Sequence, residues 1–244
     1  MPCFAPQRVA DPWSYGNWFA QVQSVYVRMT RLLAAALLAT VLPALVHAQD
    51  AIKSRPLKIV ALGDSLTAGY GLPATEAFPS KLQRALNAKG SHVEIVNAGV
   101  SGDTATGGLE RLDWAVPPDT DAVIVELGAN DMLRGVDPKV TRAAIDTIVR
   151  KLRERRIAVL VCGMVATPNL GQDYADAFNR IYREVAQTHG ALYYPFFLDG
   201  VATQANLNQR DGLHPTAAGV DVIVSNILPT VEQLVARVRS GSKS

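Results

Sequence analysis

The sequence is poor in cysteine, histidine and aromatic residues. Its 244 residues include two Cys and four His, and aromatic side chains make up 7%. Two cysteines are too few for a disulfide-stapled fold, and the scarcity of histidine makes the position of each one informative. With 48% hydrophobic residues the chain is neither disordered nor fibrous, and its length suits one domain whose core needs no metal or disulfide.

The N-terminal residues have the pattern of a leader. A basic start at residues 29–31 precedes a short uncharged apolar run that ends in Val46-His47-Ala48. This order is typical of a secretory signal peptide, although a buried or membrane-anchoring helix is the alternative. We predict an upstream extension at 1–28 that is disordered or a mis-assigned start, a signal peptide at 29–48 cleaved after Ala48, and one exported domain, periplasmic or secreted, at 49–244.

Removal of this leader leaves the chain without net charge. The whole sequence has 24 Lys+Arg and 22 Asp+Glu. Residues 1–48 contain Arg8, Arg28 and Arg31 but only Asp11, so 21 residues of each sign remain. A neutral chain gives no support for nucleic acid or an anionic membrane as a partner. We expect a monomer that binds no nucleic acid and has no stable membrane insertion after signal cleavage.

From residue 57 onward, short apolar runs alternate with amphipathic stretches. The runs are rich in Ile, Val and Leu without strict alternation, as in strands covered on both faces. Strands are predicted at 57–62, 93–96, 122–126, 158–162 and 192–194, and helices at 78–88, 140–152, 175–186 and 216–238. This alternation implies a three-layer α/β/α sandwich with a five-stranded parallel sheet, whose chemistry lies beyond the carboxyl ends of the strands.

A serine follows the first predicted strand in the turn Gly63-Asp64-Ser65-Leu66. A hydroxyl there stands clear of the sheet, and the N–H groups of a following helix face developing negative charge. This turn differs from the G-x-S-x-G elbow because Thr67 replaces the second glycine. Asp and Ser are also good helix caps, so capping alone is the alternative.

Three further loops carry candidate groups. Gly102 and Asn130 follow the second and third strands, where a glycine N–H and an Asn amide could bind an oxyanion or simply form turns. In Asp211-Gly212-Leu213-His214-Pro215, the aspartate precedes the histidine by three residues. A turn there would let Asp211 accept from Nδ1 of His214 and leave Nε2 as a base, whereas helix capping is the alternative.

Taken together, the loops resemble the sequence blocks of the GDSL or SGNH hydrolase family: Gly63-Asp64-Ser65-Leu66, Gly102, Gly128-Ala129-Asn130-Asp131 and Asp211-Gly212-Leu213-His214-Pro215. Residues 63–70 and 125–135 are most similar to its bacterial thioesterases, lysophospholipases and arylesterases. The resemblance implies a flavodoxin-like fold and hydrolysis of esters and thioesters through an acyl-enzyme, without metal or cofactor. It also implies a triad of Ser65, Asp211 and His214, and an oxyanion hole formed by the Ser65 and Gly102 N–H groups with the Asn130 side chain.

The resemblance further implies where an acyl chain binds. The loop after the Asn block and the loop after the fourth strand supply the expected residues: Met132, Leu133, Arg134, Gly135, Val136, Asp137, Met164 and Ala166. Three other functions stay open. They are a carbohydrate acetylesterase on the same fold, a metal-dependent phosphoesterase, which the single well-placed histidine opposes, and a non-catalytic exported lipid-binding module.

Overall fold

A computed structural model of the protein describes residues 55–241. The predicted extension at 1–28 and signal peptide at 29–48 lie outside the described residues. Within the described part, five parallel strands form one sheet in the order β2-β1-β3-β4-β5. They are β1 (Leu57–Gly63), β2 (Val93–Gly99), β3 (Ala122–Glu126), β4 (Ala158–Cys162) and β5 (Leu192–Tyr194). The predicted three-layer α/β sandwich is confirmed.

Helices connect the strands and cover the sheet. Two single 3₁₀ turns, Ala74–Glu76 and Pro168–Leu170, lie in the connections after β1 and β4. The α-helices are α1 (Ser65–Ala68), α2 (Phe78–Ala88), α3 (Ala105–Glu110), α4 (Leu112–Ala115), α5 (Ala129–Leu133), α6 (Pro138–Glu154), α7 (Gln172–Asn179), α8 (Ile181–His189) and α9 (Ala217–Gly241).

The core lies on both faces of the sheet because its central strands are apolar along their length. Every residue of β3 is buried, and β1 is buried from Ile59 onward. Helices α2 and α9 contact each other and the sheet, while α6 and α8 form a second contacting pair that also packs against β4. A strand covered in this way has no polar face, which explains the continuous apolar runs.

The prediction of one continuous helix at 175–186 is wrong, because two helices occupy this region. Helix α7 ends at Asn179 and α8 begins at Ile181. The Arg180 side chain explains the break, since its Nε donates to the Asp176 carbonyl at 2.7 Å. That carbonyl is the one that the Arg180 backbone N–H would use in a continuous helix.

Helix α9 is the core helix of the domain, although its length and apolar composition would suffice to cross a membrane. It buries one side from Gly219 to Val235 against the sheet layer. Lys81 of α2 bonds to the N-terminal turn of α9, where its Nζ donates to the Ala217 carbonyl at 2.9 Å and to Asp221 Oδ1 at 2.6 Å.

Strand register brings the carboxyl ends of three strands to one place. Gly63 of β1 is paired with Gly99 of β2 on one side and with Glu126 of β3 on the other. The loops that follow these strands therefore emerge side by side. These are the loops that carry Ser65, Gly102 and Asn130.

Candidate active site

Ser65 is the first residue of α1, and only Asp64 separates it from the end of β1. Asp64 caps this short helix, and its Oδ1 accepts from the Leu66 N–H at 2.9 Å. Gly63 packs closely below, since a Cβ there would lie 2.1 Å from Thr67 Oγ1 and 2.7 Å from the Glu126 carbonyl oxygen. The turn thus presents the serine hydroxyl beyond the sheet, and the predicted capping role belongs to Asp64 in the same turn.

Ser65, His214 and Asp211 form a continuous hydrogen-bonded chain. The Nε2 atom of His214 lies 2.9 Å from Ser65 Oγ, and its Nδ1 lies 2.7 Å from Asp211 Oδ2. The other Asp211 oxygen accepts from the backbone N–H groups of Leu213 and His214 at 2.9 and 3.0 Å. This Asx turn precedes α9, so the aspartate aligns the imidazole across a turn rather than along a helix.

The surroundings of the histidine favour a fixed ring and a charged aspartate. The hydrogen bond from the His214 side chain, followed by those from the His214 and Leu213 backbone, lowers the pKa of Asp211 from 3.8 to about 2. The Tyr70 ring lies 4.5 Å from the imidazole, centroid to centroid. Gln209 holds the Tyr70 backbone by donating to its carbonyl at 2.8 Å. An ionised aspartate on Nδ1 selects the tautomer in which Nε2 can accept a proton.

The candidate oxyanion donors lie on the loops that follow β1, β2 and β3. Within residues 55–241, the backbone N–H groups of Ser65 and Gly102 donate to no acceptor. The Asn130 amide lies between the two loops, where Nδ2 donates to Asp64 Oδ2 at 3.1 Å and to the Asp103 carbonyl at 2.9 Å. An oxyanion bound here would share one of these Asn130 hydrogens. Gly102 has a φ of +87°, a conformation that favours glycine.

Two fully buried carboxyl groups, Asp64 and Glu126, lie beneath the serine. Burial raises the pKa of Asp64 from 3.8 to about 6, against the effect of its hydrogen bonds from Leu66 and Asn130. Burial, and then the charge of Asp64, raise the pKa of Glu126 well above its usual range. Glu126 Oε2 accepts from the Thr67 hydroxyl at 2.7 Å, whereas Oε1 has no partner within the described chain. Two neighbouring buried carboxyls cannot readily both be charged.

The residues predicted to bind an acyl chain occupy two different environments. Met132, Met164 and Ala166 are buried, and Leu133, Arg134 and Gly135 are exposed. Arg134 Nη2 donates to the Gly102 carbonyl at 2.8 Å. The two remaining residues bond to neighbouring elements. The Val136 carbonyl accepts from the Tyr174 hydroxyl, and the Asp137 carboxylate caps α6 by accepting from the Lys139 N–H.

Sequence reasoning missed three groups that support the site. Arg111 is buried and bonds to the ends of β1 and β2. Glu126 could have been noticed as a lone acid that ends an apolar strand, but no local pattern signals Arg111. Tyr70 contacts His214 across the fold, which a single sequence does not reveal.

Among residues 55–241, no three His, Cys, Asp or Glu side chains form a group that could hold a metal ion.

Comparison with known proteins identifies the family to which this chain is similar. The profile of the GDSL-like Lipase/Acylhydrolase family matches residues 61–222. An arylesterase of Vibrio mimicus is 39% identical over 159 residues, which cover 65% of this chain and 80% of that protein. The thioesterase 1/protease 1/lysophospholipase L1 of Escherichia coli is 33% identical over 178 residues, covering 72% and 84% of the two chains. The crystal structure of AlinE4, an SGNH-hydrolase family esterase, has a TM-score of 0.63 at 44% identity and covers 74% of this chain and 97% of its own.

Proposed function

The chain belongs to the GDSL-like lipase/acylhydrolase family and is an ester-hydrolysing enzyme, and from this premise we propose that it cleaves carboxylic esters and thioesters through a Ser65-His214-Asp211 triad. The observation that carries the proposal is the chain from Ser65 Oγ to His214 Nε2 at 2.9 Å and from Nδ1 to Asp211 at 2.7 Å. Nucleophile, base and orienting carboxylate are each within hydrogen-bonding reach of the next.

The proposed reaction has two halves. Ser65 Oγ attacks the acyl carbonyl while His214 Nε2 takes the hydroxyl proton, and His214 then returns that proton to the leaving alcohol or thiol. The tetrahedral oxyanion is held by the N–H groups of Ser65 and Gly102 and by Asn130 Nδ2. Water, activated by His214, next attacks the acyl-enzyme and releases the carboxylic acid and Ser65. Removing one oxyanion donor should lower kcat about 100- to 1000-fold.

The decisive test is hydrolysis of p-nitrophenyl esters from acetate to palmitate, and of matched acyl thioesters, with EDTA present. Ser65→Ala should lower kcat by about a million-fold, and Asp211→Asn by about ten-thousand-fold. Ser80→Ala is the matched control, because Ser80 lies on α2, outside the triad, and its hydroxyl donates to the Ala74 carbonyl at 2.8 Å. Ser65→Ala and His214→Ala together should cost little more than either alone, since the residues act as one unit.

Other outcomes would favour the remaining functions. Activity confined to acetate would support a carbohydrate acetylesterase, and loss of activity with EDTA would support a metal-dependent phosphoesterase. Absence of hydrolysis on every ester and thioester would support a lipid-binding module. Clear multiplicative effects of Ser65→Ala and His214→Ala would contradict the triad.

We also propose that the enzyme is exported, to the periplasm or beyond the cell. The support is the sequence pattern at residues 29–48, which lie outside the described residues. Mass spectrometry of the N-terminus from fractionated cells should find chains beginning at Gln49 outside the cytoplasm. Intact chains confined to the cytoplasm would contradict export.

A further inference from the structure

The strongest unassigned feature is a buried guanidinium behind the oxyanion-binding loops. Arg111 lies between α3 and α4 and is 6% exposed. Its three nitrogen positions reach three different acceptors: Nε donates to Asp103 Oδ2 at 2.5 Å, Nη1 to the Ala98 carbonyl at 2.8 Å and Nη2 to the Gly63 carbonyl at 2.8 Å. One rigid planar group thereby joins the ends of β1 and β2 to the loop that follows β2.

Two of these acceptors, Gly63 and Asp103, lie next to the loops that carry the candidate oxyanion donors. Gly63 precedes the turn that carries Ser65, and its carbonyl also accepts from the Val100 N–H at 3.0 Å. Asp103 directly follows Gly102, and the Asp103 carbonyl accepts from Asn130 Nδ2 at 2.9 Å. Displacing the Asp103 side chain would therefore affect the backbone N–H of Gly102 and the amide of Asn130 together.

We propose that Arg111 is a positioning residue for the oxyanion hole, which it holds in register through Asp103 and the Gly63 and Ala98 carbonyls. This inference rests on the proposed function. Arg111 touches no reacting atom in this arrangement. A buried charge is costly unless it is paired and fully hydrogen-bonded. All three hydrogen bonds described for the Arg111 guanidinium go to the strand ends and the loop that must be fixed before the oxyanion forms.

Steady-state kinetics of Arg111→Met and Arg111→Lys on a p-nitrophenyl ester test the proposal. Methionine fills the buried volume without donors, and a lysine ammonium cannot serve three divergent acceptors. Both should lower kcat about 10- to 100-fold and leave KM within about threefold, because donor misplacement acts on the transition state. Active-site titration with a phosphonate ester corrects kcat for the fraction of folded enzyme.

Arg155→Met is the matched control. Arg155 Nη2 also donates to two carbonyls, those of Val116 and Pro117 at 2.6 and 3.0 Å, but these lie ahead of β3, at the end of the sheet remote from Ser65. Its loss removes comparable backbone hydrogen bonds and should leave kcat per titrated site within about twofold of the wild type.

Asp103 variants keep the test valid if Arg111 variants do not fold. Asp103→Asn retains an oxygen for Arg111 Nε and should keep most of the activity, whereas Asp103→Ala should reproduce the loss in kcat. Asn130→Ala adds a test of mechanism: Asp103→Ala should lower kcat by a smaller factor in that background, since one of the donors it misplaces is already absent.

The outcomes separate this inference from the proposed function. If Ser65→Ala retains activity, the proposed triad and the role of Arg111 both fall. If Ser65→Ala is inactive while Arg111→Met and Asp103→Ala keep wild-type kcat per titrated site, only the role of Arg111 is overturned. A raised KM with unchanged kcat would also overturn it, because the guanidinium would then affect substrate binding alone.

Discussion

Replacing the buried Asp64 carboxyl should change how stability depends on pH. The free energy of unfolding of the variant, measured relative to that of the wild type, should increase as the pH rises. Burial raises the pKa of Asp64 from 3.8 to about 6. Between these values the folded protein holds a proton that the unfolded chain has lost. The contribution of Asp64 to stability is therefore complete below pH 3.8 and is lost as the pH rises through about 6. At about 1.36 kcal/mol for each tenfold change in acidity, the loss is about 3 kcal/mol.

Asp64→Asn removes this titration and keeps an oxygen that can cap α1. Urea unfolding of both proteins at several values from about pH 4 to pH 8 gives the difference between their free energies of unfolding. Relative to wild type, Asp64→Asn should gain about 2 kcal/mol across this range, because part of the titration is already complete at pH 4. Asp137→Asn, at the exposed cap of α6, provides the reference for losing a capping carboxylate. A difference that stays constant with pH, or that falls as the pH rises, would refute the reasoning.

Two further predictions concern packing beneath the site. Gly63→Ala should lower the free energy of unfolding by about 1–3 kcal/mol, because the added Cβ would clash with Thr67 Oγ1 and the Glu126 carbonyl oxygen. A urea midpoint equal to that of the wild type would show that the turn can relax. Tyr182→Phe should cost about 1 kcal/mol, since the buried Tyr182 hydroxyl donates to the Leu127 carbonyl at 3.1 Å. For Tyr182→Phe, a midpoint equal to that of the wild type would show that this hydrogen bond contributes nothing.

The sequence predicts the elements of the sheet well because their signals are local. The strands at 122–126, 158–162 and 192–194 and the helix at 78–88 have the predicted bounds. Apolar runs and helical periodicity depend on neighbouring residues, which one sequence contains. The break at Arg180 was not predictable in this way, because it depends on which carbonyl a flexible side chain selects.

The candidate site divides along the same line. Ser65, Asp211 and His214 are in short motifs, and the structure brings them within 2.7 to 2.9 Å of one another along the chain of hydrogen bonds. Arg111 and Glu126 escaped prediction because their partners lie far away in sequence: the Arg111–Gly63 contact spans 48 residues and the Glu126–Thr67 contact spans 59. Only the strand order brings these partners together.

Most of the buried polar and charged side chains of the described chain lie behind the candidate site. There they reduce stability but can fix the groups that the reaction needs. Nine polar or charged residues are buried in the described chain. Six of them lie at or beneath the carboxyl ends of β1, β2 and β3: Asp64, Thr67, Arg111, Glu126, Asp131 and Thr141.

Such groups reduce stability because burial removes their hydration, yet fixed charges and dipoles are what an oxyanion hole requires before the oxyanion forms. Asp64 illustrates the exchange, since it is fully buried and its Oδ2 accepts from the Asn130 amide at 3.1 Å. Asp64→Asn places an amide where that acceptor stood. At about pH 8 the variant should therefore hydrolyse esters more slowly than the wild type, while its stability relative to the wild type is greater than at about pH 4. A variant that gains stability without losing turnover would show that Asn130 needs no support from the buried carboxylate.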